Sequence, residues 1–194
     1  NVELWIVPSD GRTPARSLTR VYDISLTSST LNDVGSGEQM KPLWSADGKV
    51  LYFQISEHGC TKLMAISVED GALYTLIDAQ GSVGTFTVDA RQQKMSYFFG
   101  TMTDPGQVWV RDMDTGAQVQ LTHLNENLLA QLDLGSVEDV WFKARDGHEL
   151  QGWILTPPGF DSRKKYPSIL EIHGGPQDQY GYLFMHEFYY LAAA

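Results

Sequence analysis

A strand–turn–strand pattern that recurs along the first 125 residues constrains the fold most. Its three copies are centred on Asp10-Gly11, Asp70-Gly71 and Asp114-Thr115-Gly116, each between two short apolar runs. A short Asp-Gly connection favours a β-hairpin, because glycine accepts the positive φ that the tight turn requires. The pattern therefore predicts three antiparallel hairpins in a mainly β chain.

A second element repeats at a similar distance. The segment Trp44-Ser45-Ala46-Asp47-Gly48-Lys49 precedes the apolar run 50–53, and a weaker copy at residues 86–89 precedes the run 95–99. Trp44 and Phe86 are 42 residues apart, and the turn glycines Gly71 and Gly116 are 45 apart. Periods of about 40–45 residues with four strands each are typical of propeller blades. We therefore predict a partial β-propeller of about two and a half blades, with an ordinary antiparallel sandwich as the alternative and residues 20–39 as a polar insertion.

The pattern changes near Gly135. Residues 137–143 and 149–155 alternate like two strands around the turn at Asp146-Gly147, and residues 168–172 form a short apolar run. Such a run, ended abruptly by glycines, is typical of a buried central strand. Residues 182–194 lack Gly and Pro and carry apolar side chains at helical spacing, which predicts an amphipathic helix. We expect residues 1–135 to form the partial propeller and residues 136–194 to begin an α/β domain.

The loop after the predicted buried strand reads His173-Gly174-Gly175-Pro176. Paired glycines at a strand end leave backbone N–H groups free to point into a cleft, as in the oxyanion loop of α/β-hydrolases. A plain tight turn is the simpler interpretation of the same glycines. We interpret His173 as a packed or hydrogen-bonded residue that orders the loop, and not as the catalytic base.

Together with the following Tyr180-Gly181-Tyr182, this loop resembles the start of the catalytic domain in the prolyl oligopeptidase family of serine peptidases, above all its acylaminoacyl-peptidase and dipeptidyl-peptidase branch. The resemblance implies a propeller that precedes an α/β-hydrolase domain and restricts access to short peptide or acyl-peptide substrates. It also implies that the Gly175 backbone N–H belongs to the oxyanion hole, with Gly174 and His173 supporting the loop.

The family uses Ser, Asp and His in that order, with the serine in a Gly-x-Ser-x-Gly turn, and no such turn occurs in these 194 residues. We therefore expect an internal fragment of a serine peptidase whose catalytic triad lies beyond Ala194, and which is inactive by itself. The alternative is a TolB-like propeller that binds a protein partner without catalysis, because the Trp44-to-Lys49 motif also occurs in such modules.

Charge and composition exclude several classes of partner. With 14 basic and 24 acidic residues the net charge is −10, which argues against nucleic acid or an anionic membrane surface. A single cysteine, Cys60, favours a reducing compartment, so we expect a cytoplasmic protein. The histidines show no metal-ligand spacing, and neither a metal nor an organic cofactor is expected. The oligomeric state is left open.

Overall fold

The computed structural model describes residues 2–26, 29–35, 40–175 and 178–194. Strands dominate the described residues, which confirms the prediction of a mainly β chain. The strands are β1 (Trp5–Ile6), β2 (Arg16–Ser17), β3 (Ser29–Thr30), β4 (Leu43–Trp44), β5 (Val50–Glu57), β6 (Cys60–Ser67), β7 (Leu73–Ile77), β8 (Ser82–Val88), β9 (Lys94–Gly100), β10 (Gln107–Asp112), β11 (Gln118–Gln120), β12 (Ser136–Lys143), β13 (Glu149–Thr156) and β14 (Asp178–Gln179); the helices are α1 (Glu126–Leu129) and α2 (His186–Ala193).

Two four-stranded antiparallel meanders form the centre of the fold. The first runs β4-β5-β6-β7 and the second β8-β9-β10-β11, and a single parallel residue pair, Thr61 with Ser82, joins them. The turns predicted at Asp70-Gly71 and at residues 114–116 close the outer hairpins of these meanders, and both predictions are confirmed. The first predicted hairpin is also present, as the pair β1 and β2.

The first meander is buried on both faces. Strands expose alternate residues to opposite faces, and one face, with Phe53 and Ile66, packs against Leu18 of the N-terminal segment. Leu63 from the other face packs in a second cluster with Phe86 and further side chains of the second meander. The N-terminal hairpin and the two meanders therefore lie in three layers separated by two apolar clusters.

Strands β12 and β13 form a separate hairpin around the turn predicted at Asp146-Gly147. The prediction that residues 168–172 form a buried strand is wrong for this chain. These residues adopt no regular structure, and Ile169, Leu170 and Ile172 are 63%, 83% and 76% exposed. A strand needs a neighbour to satisfy its backbone groups, and no strand of the described residues lies beside this segment.

The predicted C-terminal helix is present but begins later than residue 182. Helix α2 starts at His186 because Leu183, Phe184 and Met185 are buried in an irregular segment before it, with Met185 in an extended conformation. Asp33 accepts hydrogen bonds from the backbone N–H groups of His186 and Glu187, both at 2.7 Å. These contacts satisfy two of the donors that a helix start leaves free.

Candidate functional site

The loop at residues 173–175 is exposed, and its backbone is accessible. Gly175 has a φ of 136°, a conformation that favours glycine, and a Cβ at Gly174 would meet nothing within 4 Å. The His173 ring packs edge-to-face on Tyr180 at 5.8 Å. Its Nδ1 lies 2.8 Å from the Gly174 carbonyl oxygen, a distance at which the Nδ1–H tautomer donates a hydrogen bond. Pro176, the last residue of the predicted motif, lies outside the described residues.

Two residues further on, β14 fixes the chain to the N-terminal part of the molecule. β14 pairs in parallel with β3, and the Gln179 carbonyl oxygen accepts a hydrogen bond from Leu31 N–H at 2.8 Å. The Gln179 side chain contacts the β5–β6 turn, which consists of His58 and Gly59. The segment that follows the loop is therefore held by residues more than a hundred positions earlier in the sequence.

Close backbone contact joins Gly181 to the β5–β6 turn. Tyr182 N–H donates to the Gly59 carbonyl oxygen at 2.7 Å, and a Cβ at Gly181 would lie 2.0 Å from the same oxygen. A Cβ at Gly59 would likewise lie 2.5 Å from the Trp153 ring. Only residues without a Cβ allow this approach, so both glycines are required by packing.

Tyr182 links the same segment to the β12–β13 hairpin. Its ring packs edge-to-face on Trp153 of β13 with ring centroids 5.5 Å apart, and its hydroxyl donates to Asp139 of β12 at 2.6 Å. Burial, together with the hydrogen bond to the Asp139 carboxylate, raises the pKa of Tyr182. Tyr182 therefore serves packing in this structure, because it joins the β12–β13 hairpin to the segment before α2.

The polar partners of three histidine rings lie within three residues of them in the sequence. The polar partners that the structure gives the histidine rings are Gln120 and Glu126 for His123, Asp146 for His148 and the Gly174 carbonyl for His173; none is a hydroxyl group. Burial raises the pKa of the Cys60 thiol, which makes it a poorer nucleophile. What the described loop can offer chemically is its backbone N–H donors.

The described ranges contain neither a cluster of metal-ligating side chains nor a membrane-spanning helix. There, no three His, Cys, Asp or Glu side chains come close enough together to hold a metal ion. Neither of the two described helices combines the length and the apolar composition needed to cross a membrane.

Sequence reasoning missed the contacts of Gln179 and Asp33. Neither residue stands in a motif, and each acts on a partner more than a hundred residues away. The one available signal was Gly181 between two tyrosines, since an isolated glycine among residues that favour strands can mark a close backbone approach.

No protein-family model matches the chain. Among curated proteins, the uncharacterized peptidase YuxL of Bacillus subtilis is 29% identical over 180 residues, which cover 91% of this chain and 27% of the relative. Dipeptidyl-peptidase 5 of Porphyromonas gingivalis is 30% identical over 135 residues, or 70% of this chain and 19% of the relative. The chain thus spans about a fifth to a quarter of the length of these relatives.

The fold of this chain is similar to solved structures of acylaminoacyl peptidases. Acylaminoacyl peptidase of Pyrococcus horikoshii superposes with a TM-score of 0.74 at 24% identity, covering 98% of this chain and 26% of that one. An acylaminoacyl peptidase in complex with Z-Gly-Gly-Phe-chloromethyl ketone gives a TM-score of 0.75 at 23% identity. All four of these similar proteins are named peptidases. The chain belongs to the prolyl oligopeptidase family, as its His173-to-Pro176 loop predicted.

Proposed function

We propose that this chain is part of a serine peptidase that hydrolyses short peptides or acylated N-terminal residues. Its similarity to YuxL over 91% of its length carries the proposal, because that share is too large to come from the meanders alone. The substrate class is supported by the relatives: one is named a dipeptidyl-peptidase, and one similar structure holds a peptide chloromethyl ketone.

The two meanders and the N-terminal hairpin are, in this proposal, about two and a half blades of a β-propeller. Each meander has four antiparallel strands, and the layers are separated by apolar clusters, as neighbouring blades are. Residues 136–194 then begin the α/β-hydrolase domain, with β12 and β13 as its first hairpin. The propeller would restrict access to small substrates, which a narrow channel through the blades can do.

The loop at residues 173–175 supplies one half of the oxyanion hole. In the proposed peptidase, the catalytic serine attacks the scissile carbonyl, the catalytic histidine takes the proton of the serine hydroxyl, and an aspartate orients that histidine. The Gly175 N–H donates a hydrogen bond to the oxygen that becomes negative in the tetrahedral intermediate. His173 and Gly174 support the loop. The three triad residues lie outside these 194 residues, so the chain by itself binds no acyl group covalently. The triad chemistry requires neither a metal nor an organic cofactor.

The alternative of a TolB-like binding module without catalysis is not favoured, because the relatives are named peptidases. A cytoplasmic location stays a proposal that rests on the single cysteine.

Substitution of Gly175 in the natural protein that contains this chain tests the proposed function. Gly175→Val strains a backbone whose φ is 136° and moves the N–H away from the oxyanion. Loss of one oxyanion donor lowers kcat on the order of a hundred- to a thousandfold, and KM changes little because the donor acts in the transition state.

Gly11→Val is the matched control. Gly11 also has a positive φ, 66°, and open space around its Cβ position, but it lies in the β1–β2 turn. We expect it to retain wild-type kcat per folded molecule. A wild-type protein that neither turns over peptide substrates nor reacts with a serine-directed fluorophosphonate would refute the proposed function; a Gly175→Val variant with normal kcat would remove the loop from it.

A further inference from the structure

The oxyanion loop of the proposed function has little to hold it from within. Residues 168–175 are exposed, and the apolar side chains before the loop pack on nothing that buries them. Open space also surrounds the Gly174 Cβ position, so the loop itself has no packing neighbour there. Beyond Gly175, β14 is the nearest described segment that is fixed to the rest of the molecule by backbone pairing.

Gln179 of β14 makes three side-chain hydrogen bonds to distant parts of the chain. Its Oε1 accepts a hydrogen bond from Gly59 N–H at 3.2 Å. Its Nε2 donates to the Thr30 hydroxyl at 2.9 Å and to the Cys60 carbonyl oxygen at 3.2 Å. The amide therefore uses its acceptor and both donors, and it connects β14 to β3 and to the β5–β6 turn at once.

We propose that Gln179 is a positioning residue for the oxyanion loop: it fixes the chain to the β5–β6 turn at a point four residues downstream of Gly175. The proposal rests on the proposed function. Gly175 and Gln179 lie four positions apart in the chain, so release of the anchor gives the Gly175 backbone more freedom to leave its position. The N–H must lie about 2.7–3.1 Å from the developing oxyanion, and misplacement by about 1 Å can lower a rate about a hundredfold.

The partners of Gln179 explain why an amide is needed at this position. Gly59 N–H requires an acceptor and the Cys60 carbonyl requires a donor, and a glutamine side chain supplies both at one site. The Thr30 hydroxyl also interacts with the Thr61 hydroxyl at 2.9 Å, and Thr61 interacts with Ser56 at 3.0 Å. The anchor is thus the end of a hydrogen-bonded chain that reaches into the first meander.

The test is steady-state kinetics on the natural protein that contains this chain. Gln179→Met keeps a similar side-chain length and removes all three hydrogen bonds. We expect kcat to fall about 10- to 100-fold, KM to stay within about twofold, and fluorophosphonate labelling to slow in parallel. Gln131→Met is the control: Gln131 is exposed and donates only to the Asn127 carbonyl, far along the chain from β14, so kcat should not change.

A second pair of variants applies if Gln179→Met does not fold. Thr30→Val removes the hydroxyl that accepts from Gln179, whereas the control Thr115→Val removes a hydroxyl that donates to Asp112 in the exposed β10–β11 turn. We expect Thr30→Val to lower kcat several-fold and Thr115→Val to leave it close to wild type. Equal effects of these two variants, or a folded Gln179→Met variant with normal kcat, would overturn the positioning role.

The Gly175→Val variant separates the two proposals. If the wild type is active and Gly175→Val is slow but Gln179→Met is normal, only the role of Gln179 fails. If the wild type shows no turnover and no labelling, the proposed function fails and the positioning role with it.

Discussion

Replacing Gly181 by alanine should release the C-terminal segment from the β5–β6 turn. The new Cβ would lie 2.0 Å from the Gly59 carbonyl oxygen and 2.7 Å from its Cα, so the two backbones must separate by about 1 Å. The contact partner is backbone, which cannot rotate away as a side chain can. The change therefore disrupts the hydrogen bond from Tyr182 N–H to Gly59 and the packing of Tyr182 on Trp153.

The expected magnitude follows from these two contacts. A backbone hydrogen bond contributes about 0.5–1.5 kcal/mol, and an edge-to-face ring pair contributes about 0.5–1.5 kcal/mol beyond its buried area. We therefore expect the free energy of local opening to fall by about 1–3 kcal/mol. This corresponds to an equilibrium constant for local opening that is about 5- to 150-fold larger. The meanders should be unaffected, because their clusters contain no residue of this segment.

Amide hydrogen exchange measures this effect directly. The Tyr182 N–H should exchange faster by the same factor in Gly181→Ala, whereas the amide of fully buried Ile66 in β6 should keep its wild-type rate. Gly152→Ala is the control, because a Cβ there would find its nearest neighbours at an ordinary 3.7 Å. The reasoning would be refuted if Tyr182 exchanged at the wild-type rate in Gly181→Ala, or if Gly152→Ala had the same effect.

Two further predictions concern the segment around α2. Asp33→Ala removes the acceptor for the first N–H groups of α2 and should destabilise the helix by about 0.5–2 kcal/mol. The measurement is amide exchange, which should become faster at His186 and Glu187. The control Asp10→Ala removes only a turn contact of Arg12 and should leave the exchange rates of both amides unchanged. Burial raises the pKa of Tyr189 from 10.0 to about 12, so its neutral form stabilises the fold below about pH 10 and this contribution is lost as the pH rises towards 12. An ultraviolet titration of Tyr189→Phe should lack one phenol ionisation near pH 12, and loss of an ionisation near pH 10 instead would contradict the burial argument.

Local sequence determined the hairpins. Asp70-Gly71 and Asp146-Gly147 join strands that are neighbours in the chain, so turn chemistry and strand alternation suffice to predict both. The repeat near 42 residues likewise predicted that similar units would follow one another. Glycines in the His173-to-Pro176 loop carried the family resemblance, because a motif of four residues can be recognised without knowing what surrounds it.

Tertiary structure alone decided the fate of residues 168–172 and the anchoring of the loop. An apolar run becomes a buried strand only where a neighbouring strand pairs with it, and no such partner is present in the described residues, so these side chains stay exposed. Gln179 finds its partners 119 to 149 positions earlier in the chain. No local pattern encodes such contacts, because a glutamine amide can satisfy its donors and acceptor equally well with water until the folded backbone brings Gly59, Cys60 and Thr30 to one place.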